Sequence, residues 1–484
     1  MSSLSLPTQF PTAAISLPKK KVAKLTLWPL VAATFFMVSG GTYGTEEVVA
    51  GAGYGHGILV MLFLPVLWCL PTAFMIGELS SALPAEGGYY AWVRRGLGNF
   101  WGFQEAWLSL AASIFDMAIY PTLFVFYLKQ FAPWFGVGSH GVLAGLFVVV
   151  TCAALNLAGV RVVGITSLWL FFLLSAPFAL VVVLAPLHEG AFGDVHAAAN
   201  AGTGVAELGL VGAVLVAMWN YMGWDNASTI AQEVEKPQRT YPKAMIAAVI
   251  LVSLTYVLPF LAVYFTGIPA SAFSGDGSWA QVAGRLGGTI FGFEWLRFLI
   301  VTGGMMSAFG MFNALVMSYS RLPLAMANDG MLPKFFAKVN SRTKAPWVAI
   351  LVLASCWALC LGLGFQRLIT LDIMLYGASL MLEFVTLVAL RIREPELKRE
   401  FKVPGGMAGA VMLGICPLAL LSLAMVSSES QTVLGMNGLV FGGLIIAGGV
   451  ALYLGTSRVR ARRMAEQGFA GAADGMPTSA GATD

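Results

Sequence analysis

Met37-Val-Ser-Gly-Gly-Thr-Tyr-Gly-Thr-Glu-Glu47 and Met218-Trp-Asn-Tyr-Met-Gly-Trp-Asp-Asn-Ala-Ser-Thr229 each interrupt a long apolar run with glycines and acids. A continuous helix disfavours glycine by about 1 kcal/mol per residue relative to alanine. Glycines followed by carboxylates therefore predict a helix that stops and restarts in mid-run. An apolar helix of about 20 residues crosses the ~30 Å hydrocarbon core of a bilayer, and the runs holding these two breaks have that length. Working outward, apolar stretches recur over residues 25–50, 57–80, 104–128, 141–157, 162–186, 207–232, 243–266, 296–322, 346–364, 370–390, 407–426 and 436–455. Twelve spans are predicted. The interrupted ones are the first and the sixth.

The whole chain agrees. Its 484 residues are 58% hydrophobic and 11% charged, with a mean hydropathy of +0.79, whereas soluble domains are roughly 25% charged. A membrane barrel would show short alternating segments instead. The expected class is an all-α integral membrane protein. Its basic residues predict the orientation, since cytoplasmic loops carry the excess of Lys and Arg. With the N-terminus inside, 24 of the 28 Lys and Arg fall on cytoplasmic segments, leaving Lys129, Arg285, Arg297 and Arg367 outside. Both termini are then expected in the cytoplasm of a cell (inner) membrane protein, with Arg458, Arg460, Arg462 and Arg463 reaching to anionic lipid headgroups.

Breaks in equivalent spans are the mark of inverted repeats that build a substrate site at mid-membrane. The expected organisation is a cytoplasmic tail (1–24), a first five-helix repeat (25–186), a second (207–392), two further helices (407–455) and a disordered cytoplasmic tail (456–484). No connection is long enough for a soluble catalytic domain, and no zinc-protease, nucleotide-loop or serine-elbow motif occurs. The chain reads as a non-enzyme with no cofactor and no nucleic-acid partner. Cys356 and Cys360 lie one turn apart, but no histidine accompanies them, so no metal site is expected. The histidines fall in or near loops and are assigned no chemistry.

Several motifs carry a resemblance. Ser39-Gly-Gly-Thr-Tyr-Gly44, Pro84-Ala-Glu-Gly-Gly-Tyr-Tyr-Ala-Trp-Val93, and Trp219 to Asp225 with Glu233-Val-Glu-Lys-Pro237 resemble the amino acid–polyamine–organocation superfamily over spans one to eleven. Gly44-Thr-Glu-Glu47, Phe115-Asp-Met-Ala-Ile-Tyr-Pro121 and Asn328-Asp-Gly-Met-Leu-Pro333 look closest to plant-type polyamine uptake transporters, which are proton symporters. The resemblance implies a LeuT-like five-plus-five fold and a small cationic substrate, a polyamine or an amino acid.

The acids within the spans bear on that substrate. A charged side chain at mid-membrane costs about 2.5–3.5 kcal/mol on insertion scales and normally faces a cavity or a partner. Asp116 lies near the centre of span three, Asp225 follows the break of span six, and Glu46 and Glu47 follow the break of span one. Glu46 and Glu47 also suit a half-helix N-terminus, and Asp225 suits a gate. By resemblance, Gly44-Thr45-Glu46 aligns with a small-residue triplet whose N–H groups receive an α-carboxylate in amino-acid carriers. Glu46 would repel that carboxylate and attract an ammonium.

The resemblance also implies an aromatic gate at Trp219, with Tyr120 and Trp224 either packing or adding cation–π attraction. The candidate substrate residues are Ser39, Gly40, Gly41, Tyr43, Gly44, Thr45, Glu46, Glu47, Asp116, Tyr120, Trp219, Asn220, Trp224 and Asp225. Glu78, Glu233, Glu235 and Glu383 lie nearer the cytoplasmic ends and read as gate or topology residues. A coupling proton is expected ahead of sodium, although Ser307 and the backbone carbonyls of a broken helix suit sodium too. The alternatives are an amino-acid transporter or exchanger of the same fold and, more remotely, a channel.

Overall fold

A computed structural model describes residues 25–85, 87–188, 191–193, 209–273, 278–289, 294–428, 432–433 and 435–457. The two predicted tails (apart from residues 456–457) lie outside the described residues, with their basic flanks, as does Glu86.

In lipid every backbone N–H and C=O must find its partner within the protein, which favours helices throughout. The described chain forms α1 (Leu27–Val38), α2 (Glu46–Leu64), α3 (Leu70–Ala82), α4 (Tyr89–Leu97), α5 (Asn99–Leu128), α6 (His140–Ala158) and α7 (Val160–Leu184). It continues with α8 (Gly209–Asn220), a 3-10 turn (Trp224–Glu233), α9 (Pro237–Tyr264), α10 (Ser278–Gly287), α11 (Trp295–Asn328) and α12 (Trp347–Leu359). The last helices are α13 (Phe365–Arg393), α14 (Gly406–Leu413), α15 (Ile415–Ser428) and α16 (Gly438–Gly455). Among the described residues, the β-structure is limited to a two-residue hairpin pairing Thr432–Val433 with Met436–Asn437 and an isolated bridge between Leu25 and Val234. Among the described residues, eight helices are long and apolar enough to cross a membrane, and Leu27–Val38, Phe172–Leu187 and Trp347–Leu359 are shorter apolar ones.

Phe63, Phe147, Phe172 and Val426 are each more than half exposed. A soluble protein rarely carries so much exposed apolar surface, whereas lipid tails solvate it. The polar side chains are gathered inside instead, among them Glu46, Glu78, Glu105, Asp116, Asp225, Asp372 and Glu383.

Both predicted breaks are present. The chain leaves helix after Val38 and re-enters it at Glu46. It leaves again after Asn220, turns at Gly223 and continues as the 3-10 turn. One boundary differs from expectation. No loop separates spans one and two, because α2 runs on from Glu46 and bends only at Gly53 (φ 71°, ψ 174°). The short helices α4 and α10 also fall where connections were expected.

One end of the bundle gathers the arginines. Arg94 pairs with Asp329, Arg95 with Glu394 at 2.7 Å, and Arg239 with Glu400 at 2.6 Å. Arg391 forks onto the carboxylate of buried Glu78, which is also ion-paired with Arg399 at 3.3 Å and accepts from the Val403 N–H at 2.7 Å. These ties join α3, α4, α9, α11 and α13 at this basic end of the bundle.

Candidate functional site

The two breaks face each other. Asn220 Nδ2 donates to the Gly44 carbonyl at 3.1 Å, and the Trp219 ring lies 3.2 Å from where a Cβ on Gly44 would stand. Gly223 takes φ +87°, and a Cβ there would meet the Met37 carbonyl oxygen at 2.6 Å. The glycines thus serve both as turns and as the flat surface that lets one break approach the other.

Where they meet lies a narrow cavity walled by α1, α5, α8, α9, α11 and α13 as well as the two breaks. Asp116 is its most elaborated group. Its Oδ1 accepts from Tyr120 OH at 3.0 Å and from Trp219 Nε1 at 3.4 Å, and its Oδ2 accepts from Tyr319 OH at 3.3 Å. The Tyr120 and Trp219 rings stand 6.1 Å apart, tilted by 37°. A carboxylate offers about four acceptor directions, so three donors leave one for a ligand.

Six sequence candidates line the cavity: Gly40, Tyr43, Asp116, Tyr120, Trp219 and Asn220. The others stand behind or beside it. Asp225 is one bond removed, its Oδ1 accepting from Tyr376 OH at 2.6 Å, and Tyr376 does line the cavity. Tyr376 OH in turn accepts the Gly223 N–H at 3.1 Å. Ser39 Oγ accepts from the Gly41 N–H at 3.1 Å, and Thr45 Oγ1 donates to the Thr42 carbonyl at 2.6 Å. Glu46 is buried, and its carboxylate accepts from Tyr127 OH. Glu47 is half-buried at the next position. Trp224 is fully buried and donates to the Tyr221 carbonyl at 2.8 Å. Ser307 donates to the Gly40 carbonyl.

The sequence reading missed Asp372, Tyr319, Tyr376, Tyr256, Asn226 and Met311, all of which line the cavity. Asp372 is the most consequential. It is buried and makes no hydrogen bond to another described residue. Asp116, Asp225 and Asp372 lie within electrostatic range of one another, and no Lys, Arg or His among the described residues pairs with any of them. Buried acids with no basic partner draw in a cation or a proton.

Comparison with known proteins bears on the same site. The family model for amino acid permease matches residues 31–446. A polyamine transporter of Arabidopsis thaliana (RMV1) is 33% identical over 449 residues, 92% of this chain and 89% of its own length. A polyamine transporter of Oryza sativa (PUT1) is 35% identical over 87% of this chain and 77% of its own length. A serine/threonine exchanger of Bacillus subtilis (SteT) is 25% identical over 80% of this chain and 86% of its own length. With the family model spanning both breaks and every wall of the acidic cavity, the chain belongs to the amino acid permease family of the amino acid–polyamine–organocation superfamily.

Proposed function

We propose that this chain imports cationic polyamines, or related amines, by proton symport with alternating access. The observation that carries the reading is the Asp116 carboxylate, held by two tyrosines and a tryptophan on a cavity that also contains Asp372 and lacks a basic partner. Two carboxylates suit the two ammonium ends of a diamine. The faces of Tyr120 and Trp219 add cation–π attraction of about 0.5–2 kcal/mol. Glu46 contributes further negative charge one layer behind Tyr43 and Tyr127, which disfavours an α-carboxylate. In this reading twelve helices cross the membrane as two inverted five-helix repeats and a further pair, with both termini cytoplasmic. The breaks act as hinges that open the cavity to one side at a time, and substrate enters with a proton.

Uptake of radiolabelled putrescine and spermidine into liposomes carrying the purified protein tests this directly. Accumulation should require a proton gradient directed into the liposome, acid outside, and should resist competition by excess leucine or serine. The likeness to a serine/threonine exchanger supports one rival, an amino-acid exchanger. Competition by serine together with indifference to putrescine would establish that rival instead.

A further inference from the structure

Helices α5 and α13 run antiparallel, with Gly96, just before α5, against Thr386 and Leu390, and with Ser109 Oγ 3.3 Å from Ser379 Oγ. Counted from that serine contact, both helices carry acids at the same steps. Asp116 and Asp372 lie seven residues away toward the cavity, and Glu105 and Glu383 lie four residues away toward the basic end. Eleven residues separate the two acids on each helix, close to three turns, so they share a face about 16 Å apart along the axis. The seam between α5 and α13 thus holds two levels of paired carboxylates.

Polar groups line the seam between the levels without joining them in one unbroken chain. Asp225 accepts from Tyr376 OH at 2.6 Å, and the Tyr376 carbonyl accepts from Ser379 Oγ at 2.9 Å. Ser109 Oγ, beside Ser379, donates to Glu105 Oε1 at 2.8 Å. Tyr89 of α4 faces the lower level, within electrostatic range of Glu105, Asp225 and Glu383.

The lower pair is unusual in what it lacks. Glu105 and Glu383 are both fully buried. Glu105 Oε2 and both carboxylate oxygens of Glu383 have no hydrogen-bond partner among the described residues. The groups facing them are acids or neutral hydroxyls: Asp225, Tyr89, Tyr376, and the Asp116–Asp372 level above. Arg391 and Arg399 at the basic end are held by Glu78 of α3. Helices α14, α15 and α16 bring no carboxylate, Lys, Arg or His to the seam. Two bare anions buried together would each cost several kcal/mol. The carboxylate oxygens are sealed from anything the size of water, which leaves a proton as the only counter-charge that fits.

We propose that Glu105 and Glu383 form a proton-binding pair that carries the coupling proton between the substrate cavity and the basic end of the bundle. The proposal rests on the symport reading above. One proton binds a carboxylate oxygen of the pair as O–H, and the pair stays neutralised to that extent while the seam is dry. When the basic end opens and water reaches the pair, the O–H bond breaks, the proton passes to water and the carboxylate charge is restored.

The test uses the full chain in liposomes, following labelled putrescine and, with an entrapped pH dye, proton entry. Glu383→Gln and Glu105→Gln keep the shape of the protonated group but cannot release it. Gradient-driven accumulation and putrescine-coupled proton entry should fall at least tenfold. Exchange of labelled for unlabelled putrescine, which moves no net proton, should stay within about twofold of wild type. Glu383→Asp, which still titrates, should retain coupling and serves as the second variant should either glutamine variant fail to fold; loss of coupling in a folded Glu383→Asp would overturn the proposal. Glutamine variants that accumulate putrescine like wild type would overturn it as well, and so would variants that lose exchange and accumulation together. A wild type that transports putrescine but ignores the gradient would overturn the symport reading itself.

Discussion

Asp116→Asn preserves the shape of the side chain and two of its three donor contacts while removing the charge. Folding should survive, and putrescine uptake should fall by at least about tenfold, equivalent to ~1.4 kcal/mol of binding. Asp372→Asn should act in the same direction, measured by the same uptake assay, because both carboxylates border one cavity. Normal uptake by both variants would remove the acids from substrate binding. Asp116 was legible because a charge in the middle of a long apolar run announces itself. Asp372 was not, for a physical reason. The apolar run begins at Thr370, which makes Asp372 look like an end residue, yet α13 starts at Phe365 and buries Asp372 two turns inside. Glu46 illustrates the opposite limit. Its position at a half-helix start was readable, but its Tyr127 partner lies 81 residues away, and only tertiary packing brings the two together.

At the scale of elements, the breaks in spans one and six were the most readable features, since glycine with polar neighbours works against a continuous helix wherever it occurs. Gly223→Ala tests how the breaks fit. A left-handed alanine costs about 1–2 kcal/mol, and its Cβ would also press on the Met37 carbonyl. A lower unfolding temperature in detergent and reduced uptake are expected, and wild-type values for both would show that the close approach is dispensable. Glu78→Gln tests the ties at the basic end. Removing one partner of a buried ion pair typically costs 3–5 kcal/mol, and Arg391 and Arg399 would both lose theirs. Poor yield and early thermal unfolding should follow, with neither rescued by putrescine. The short helices α4 and α10 escaped the sequence reading because ten residues or fewer of mixed polarity give too brief a pattern to separate from a loop.

For the whole molecule, the distribution of basic residues leads to a topological prediction. Once the exposed native Cys416 has been replaced, Ser341→Cys should be shielded from an impermeant thiol reagent added outside intact cells. Ser139→Cys, in the connection between α5 and α6, should be labelled. Both positions are exposed on the protein, so the difference reads the membrane and not burial. The reverse pattern would invert the proposed orientation. Membrane character and helical class were evident from composition, because lipid imposes one solution on every apolar run. The cavity was only half evident, since its walls come from helices spread over most of the chain and meet through contacts that no local pattern encodes.

The bend at Gly53 has a mechanical side. Residues 46–52 and the rest of α2 are one piece of chain, joined through a single residue whose φ and ψ suit glycine alone. A slack loop would let the half-helix swing without disturbing its neighbour. Here there is no slack, so the joint behaves as an elbow in a crank. In the alternating access proposed above, a tilt of residues 46–52 would have to be matched by the arm running on through Leu64 or absorbed by flexing at the elbow.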